Sequence, residues 1–138
     1  MRGRALEDFV ERCVREVFGK TGYQARCRFT GERGQSEKCD FAIPSGDDVQ
    51  ILIEVKAYGA TGSKLTDVLG DVHRIVNNKR QDTYFLLVTD GLTWYDRVND
   101  LRKLVELQNQ GRITRIYTRR MAGEFISDLR QLKAELDL

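Results

Sequence analysis

The chain has 138 residues, 41% of them hydrophobic, with one proline and 32% charged residues, which is enough to bury one core and make one domain spanning 1–138. A net charge of +2 is too mild to announce a nucleic-acid partner by itself, and no apolar run is long enough to cross a bilayer or to act as a secretion signal. Three cysteines without zinc spacing argue against a sulfur metal cluster and fit a reducing compartment, so a prokaryotic cytoplasm with no membrane contact is expected.

In chain order, Leu6, Phe9, Val10, Cys13, Val14 and Val17 form a helical stripe from about Ala5 to Phe18, closed by Gly19. Tyr23 to Thr30 alternates as a strand. Lys38 to Ile43 and Val49 to Lys56 are two apolar runs separated by Pro44-Ser45-Gly46-Asp47-Asp48, whose turn chemistry predicts a hairpin. A helix is expected over Lys64 to Asn78, a buried strand over Thr83 to Thr89 and a helix over Asp96 to Gln110. A strand over Ile113 to Thr118 follows. A final amphipathic helix spans Ala122 to Leu136, with Phe125, Ile126, Leu129, Leu132 and Leu136 on its apolar stripe. The order is αβββαβαβα. Three strands in direct succession imply an antiparallel meander and the later crossovers imply parallel pairing, so the expected α/β (α+β) fold has a mixed five-stranded sheet flanked by helices.

The chemistry concentrates on the hairpin. In Val49 to Lys56, Ile51, Ile53 and Val55 share one face, and Leu52, Glu54 and Lys56 share the other. A turn near Gly46 and Asp47 sets Asp40 opposite Ile53 or Glu54, where opposed Cβ atoms lie about 4.5 to 5.5 Å apart. Two adjacent carboxylates either share a proton or bind a divalent cation, and oxygen-only ligands favour Mg²⁺ with Mn²⁺ as substitute. Water on such an ion can attack a phosphodiester in line, and a charged Lys56 would stabilise the hydroxide and the developing charge. The plainer reading of an acid-x-lysine triplet is a cross-strand ion pair.

Asp40 followed by Glu54-Val55-Lys56 resembles the pattern of the PD-(D/E)XK nucleases, with Cys39 where a proline is usual. The run from Ile53 to Asp71, together with Asp100 to Asn109 and Ile116-Tyr117-Thr118, is similar to the catalytic region of the DpnII/MboI group of type II restriction endonucleases. The resemblance implies a restriction-endonuclease-like core, Mg-dependent DNA cleavage with GATC as the group's target, and catalytic Asp40, Glu54 and Lys56. It places Asp40, Glu54 and Val55 in the metal set. It also implies Glu7 on the first helix, in preference to Glu11, as a further catalytic residue. Glu7 reads equally well as a solvated helix acid.

Ser63 and Lys64, in a glycine-containing segment before a helix, are candidate DNA phosphate contacts, with a helix N-cap as the plain alternative. Arg115 and Arg119, in a basic cluster with Arg112 and Arg120, are further candidates. Asp67 and Asp71, at i,i+4, read as solvated acids outside the site. A single histidine, His73, excludes histidine-pair metal nucleases. Cutting a duplex calls for a homodimer or a partner subunit that reads the target. A Holliday-junction resolvase, a repair nuclease and a catalytically silent binding module of the same fold remain open.

Overall fold

The computed structural model describes residues 2–57, 68–90 and 98–138, with side chains from residue 4 onward. Its elements are α1 (Arg2–Phe18), β1 (Gln24–Thr30), β2 (Ser36–Pro44), β3 (Val49–Lys56), α2 (Val68–Asn78), β4 (Tyr84–Thr89), α3 (Val98–Asn109), β5 (Arg115–Thr118), a 3₁₀ turn (Arg119–Met121) and α4 (Ala122–Glu135). The αβββαβαβα order is therefore observed. The expected starts of α2 and α3, with Ser63, Lys64 and Asp67, lie outside the described residues.

The five strands form one sheet in the order β1-β2-β3-β4-β5. β1, β2 and β3 pair antiparallel, whereas β3, β4 and β5 pair parallel through the α2 and α3 crossovers. The mixed sheet follows from connection length, since a short turn can only reverse a strand and a parallel return needs a helix.

Alternation along β3 sorts its side chains onto two cores. Ile51 and Ile53 join Phe41, Ile43, Leu86, Val88 and Tyr117 against α1 and α4. Leu52 joins Ala42, Phe85 and Leu87 against α2 and α3. Helix packing covers both faces, which is why β4 reads as an unbroken apolar run. Gly19 ends α1 at φ 75°, its N–H bonding the Arg15 carbonyl at 2.8 Å. No helix among the described residues is long and apolar enough to cross a membrane.

One departure from simple alternation matters for the site. Ala25 packs with the α1/α4 core, yet Cys27 and Phe29 on the same strand pack with the α2/α3 core. The buried side changes around Arg26, which is held at φ 50° in the left-handed region that a branched-off side chain rarely adopts. On the partner strand the same change falls between Cys39 and Phe41, at Asp40.

Candidate active site

The site forms where the β2–β3 ladder opens. β2 pairs with β3 from Phe41↔Ile53 to Pro44↔Val49, and one more step of that register sets Asp40 opposite Glu54. There the backbone bonds give way to side-chain ones. The Asp40 N–H donates to Glu54 Oε1 at 2.8 Å, and the Val55 N–H donates to Asp40 Oδ2 at 2.8 Å. Beyond this point Ser36 to Cys39 keep partners only on β1, while Glu54 to Lys56 keep partners only on β4. The strands fork, and a cleft of about 470 Å³ occupies the gap.

One wall of the cleft is Arg26, Cys27, Arg28, Lys38, Cys39 and Asp40 from β1 and β2; the other is Glu54 and Lys56 from β3 with Asp71 and Arg74 from α2. Glu54 is only 6% exposed. Burial, then the neighbouring charge of Asp40, pushes its pKa up to about 8, and the two carboxyls lie within hydrogen-bonding reach of each other. Burial also raises Asp40, against the opposing pull of the Val55 N–H, and the Glu7 charge adds to the rise. A buried and a half-buried acid placed together are an electrostatic liability that either a shared proton or a cation relieves.

Lys56 stands across from them, its Nζ 3.4 Å from Glu54 Oε2 and 2.6 Å from Asp71 Oδ2. Burial works against its charge, but Glu54, Asp71 and Asp40 together outweigh burial and raise its pKa, which favours the ammonium form in the metal-free cleft. Asp71, set aside in the sequence as a solvated acid, belongs to the cleft. Burial would raise its pKa, but Lys56 and Arg74 overcome that and hold it low. The docking of α2 across the sheet brings it there, a tertiary fact that the i,i+4 spacing to Asp67 does not encode. Arg74 also reaches Glu37 on β2 at 3.0 Å, tying α2 to the far arm of the fork.

Glu7 does lie on the site's side of α1, but its Oε1 is held by Arg26 at 2.6 Å, and the same guanidinium holds Glu11 Oε1 at 2.9 Å. The two candidate helix acids thus share one cation. Glu11 is further fixed by the Tyr23 hydroxyl at 2.7 Å, the first cause of its lowered pKa. Val55 enters the arrangement through the N–H that aims Asp40.

Three arginines of the C-terminal basic run, Arg112, Arg115 and Arg119, each engage a different neighbour. Arg115 pairs with Asp128 at 2.8 Å and Glu124 at 3.1 Å and lies 5.3 Å from the Tyr117 ring centroid, which fastens α4 to β5. Arg119 lies 5.1 Å above the Phe9 ring of α1, and Arg112 donates to Asn77 Oδ1 at 2.7 Å. The acids that engage Arg115, Glu124 and Asp128, are the third and seventh residues of α4, and strand-local reading misses them. His73 is exposed on α2.

Among the described residues no three His, Cys, Asp or Glu side chains group as metal ligands. A carboxylate pair is nevertheless sufficient for Mg²⁺, which keeps several waters and takes only one or two carboxylates together with phosphate oxygens.

The pattern of the DpnII restriction endonuclease family matches residues 3–122, which contain every residue of the cleft and stop at the first residue of α4. The chain belongs to the DpnII restriction endonuclease family. A curated relative is the type II restriction enzyme DpnII of Streptococcus pneumoniae, 30% identical over 80 residues, a stretch covering 56% of this chain and 27% of that enzyme. The match therefore spans about a quarter of that relative's length. No solved structure matches the chain. In this DpnII-family chain the fork brings Asp40, Glu54, Lys56 and Asp71 into one cleft, and all of α4 after its first residue lies beyond the matched stretch.

Proposed function

We propose that the cleft hydrolyses phosphodiester bonds of DNA with Mg²⁺, or Mn²⁺ in its place. The carrying observation is the bonding of Glu54 by the Asp40 N–H and of Asp40 by the Val55 N–H at the opening of the ladder, which presents two mutually repelling carboxyls, one buried and one half-buried, to the gap. Asp40 and Glu54 would hold the ion, and their raised proton affinities fit a pair built for a cation more than for isolated ionisation. When bound, the ion supplies Lewis-acid activation of water and of the phosphate oxygen.

The chain's own residues supply the rest. Val55 orients Asp40 through its N–H, leaving the carboxylate no freedom to swing out of the gap. Lys56 carries fixed positive charge beside Glu54, where charge grows on the phosphorus oxygens during attack. Asp71 keeps Lys56 charged and in place, making it a positioning residue. Glu7 acts through Arg26 and through its field on Asp40. One cleft addresses one phosphate, so concerted cutting of both strands requires two copies or a partner subunit.

The test incubates the purified chain with supercoiled plasmid, GATC duplexes and four-way junctions in Mg²⁺, Mn²⁺, Ca²⁺ and chelator. Cutting of duplex DNA in Mg²⁺ and Mn²⁺ is expected, with none in chelator and Ca²⁺ bound without turnover. Cleavage at an equal rate in chelator overturns the metal assignment, and junctions cut in preference to duplexes replace the restriction reading with a resolvase one.

A further inference from the structure

Arg28 and Lys38 stand directly opposite each other in the β1–β2 register, both exposed and both on the cleft wall. Like charges directly opposed on a sheet destabilise it, so such a pair invites an anion between or above its members. The other cations of the cleft are answered: Arg26 by Glu7 and Glu11, Lys56 by Glu54 and Asp71, Arg74 by Glu37 and Asp71. Among the described residues no carboxylate pairs with Arg28 or Lys38.

Arg28 is also pre-set. Its Nε donates to Ser36 Oγ at 2.7 Å and its Nη2 to the Ser36 carbonyl at 2.9 Å, which orients the guanidinium and leaves Nη1 for an acceptor from outside. Its backbone is equally constrained, because a Cβ on Gly46 would fall 1.9 Å from the Arg28 carbonyl oxygen, so the β2–β3 turn packs flush beneath it. A solvated surface lysine or arginine needs none of this.

We infer that Arg28 and Lys38 form a phosphate clamp that grips the DNA backbone beside the phosphate presented to Asp40 and Glu54. Lys38 precedes Asp40 by two strand residues, about 7 Å along β2, so a backbone with one phosphate at the carboxylates brings a neighbouring one to the pair. Contacts of this kind position the strand and carry no base sequence. The inference rests on the nuclease reading, and its experiment separates the two.

The full chain and its Arg28→Gln, Lys38→Gln, double and Arg28→Lys variants are titrated with a labelled DNA duplex across a salt series in Ca²⁺, and their cleavage kinetics are followed in Mg²⁺. Each lost cation is expected to lower the salt slope of log Kd by about 0.9 and the double variant by about 1.8, with KM raised and kcat unchanged, while Arg28→Lys keeps the slope. The melting temperature of Lys38→Gln should equal or exceed that of the parent, because a like-charge contact is relieved while the Arg28–Ser36 hydrogen bonds stay in place. Unchanged salt slopes in variants of a chain that cuts DNA overturn the clamp and leave the nuclease reading intact. Reduced slopes in a chain that binds but never cuts sustain the clamp and overturn that reading.

Discussion

The β2–β3 hairpin has two halves that do opposite things with the same backbone. From Phe41 to Ile43 and from Val49 to Ile53 the strands are zipped, and apart from half-buried Gln50 every side chain in these runs is buried. One residue further, at Asp40 and Glu54, carboxyls replace carbonyls as acceptors and the strands part. The zipped half supplies apolar burial and the forked half spends none of its polar groups on the ladder, so a site with repelling acids is carried by the rigidity of the segment beside it. Substitutions on the two sides should therefore break different things.

On the forked side, Lys56→Ala is expected to reduce single-turnover DNA cleavage by about 10²- to 10³-fold, while the fold and DNA binding persist. An ordinary cross-strand ion pair predicts the reverse, a slightly lower melting temperature and unimpaired activity. A Lys56→Ala protein that cuts at the parental rate ends the catalytic assignment.

On the zipped side, Ile53→Ala should destabilise the chain by about 2–5 kcal/mol, because Ile53 is fully buried between the sheet and α1/α4. Urea unfolding gives the value, and whatever fraction remains folded should cleave with kcat near parental. A loss under about 1 kcal/mol, well below the range for an Ile→Ala truncation in a core, would mean that the hairpin's stability lies elsewhere.

The two halves also differ in how visible they are in the sequence. Strand alternation and the Pro44 to Asp48 turn are local, so the hairpin and its facing follow from residue spacing, which narrows the partner of Asp40 to Ile53 or Glu54 and leaves the choice of Glu54 to the register. Element order was legible for the same reason. Asp71 was not, because its place beside Lys56 depends on how α2 docks across a sheet. Nor was the sharing of Arg26 by Glu7 and Glu11, because it joins residues of β1 and α1 that are 19 and 15 positions apart in the chain. The ion pairs of Arg115 with Glu124 and Asp128 were not legible either, because those acids lie on the next helix.

The fork should also respond to pH in the absence of metal. Glu54 has its folded pKa raised to about 8 from an ordinary 4.5, so the folded state holds a proton that the unfolded chain releases. Its contribution to stability is complete below about pH 4.5 and is lost as pH rises through about 8. The metal-free melting temperature should fall across that window, and Mn²⁺ should raise it most at the alkaline end. Asp40→Asn removes the second cause of the shift, so the variant should melt higher without metal, show a flatter pH profile and lose the response to Mn²⁺. A parental protein whose melting temperature rises from pH 5 to pH 8 contradicts the pairing of the two acids.

The smallest expected effect concerns the thiols just beyond the fork, where Cys27 and Cys39 face each other with sulfurs 3.6 Å apart. The hydrogen bond from Cys39 lowers the Cys27 pKa, and the same contact, with burial, raises that of Cys39. Burial raises Cys13 as well. Only Cys27 is partly accessible, and the thiolate is the reactive form. An alkylating reagent should therefore modify one thiol per chain ahead of the others, located at Cys27 by mass spectrometry. Replacing Cys39 with Ser changes the donor that stabilises the Cys27 thiolate and should slow that reaction severalfold, whereas Cys13→Ser should leave it unchanged. Faster labelling of Cys13 in the folded protein would show that the forked arm is not held as the β1–β2 register describes.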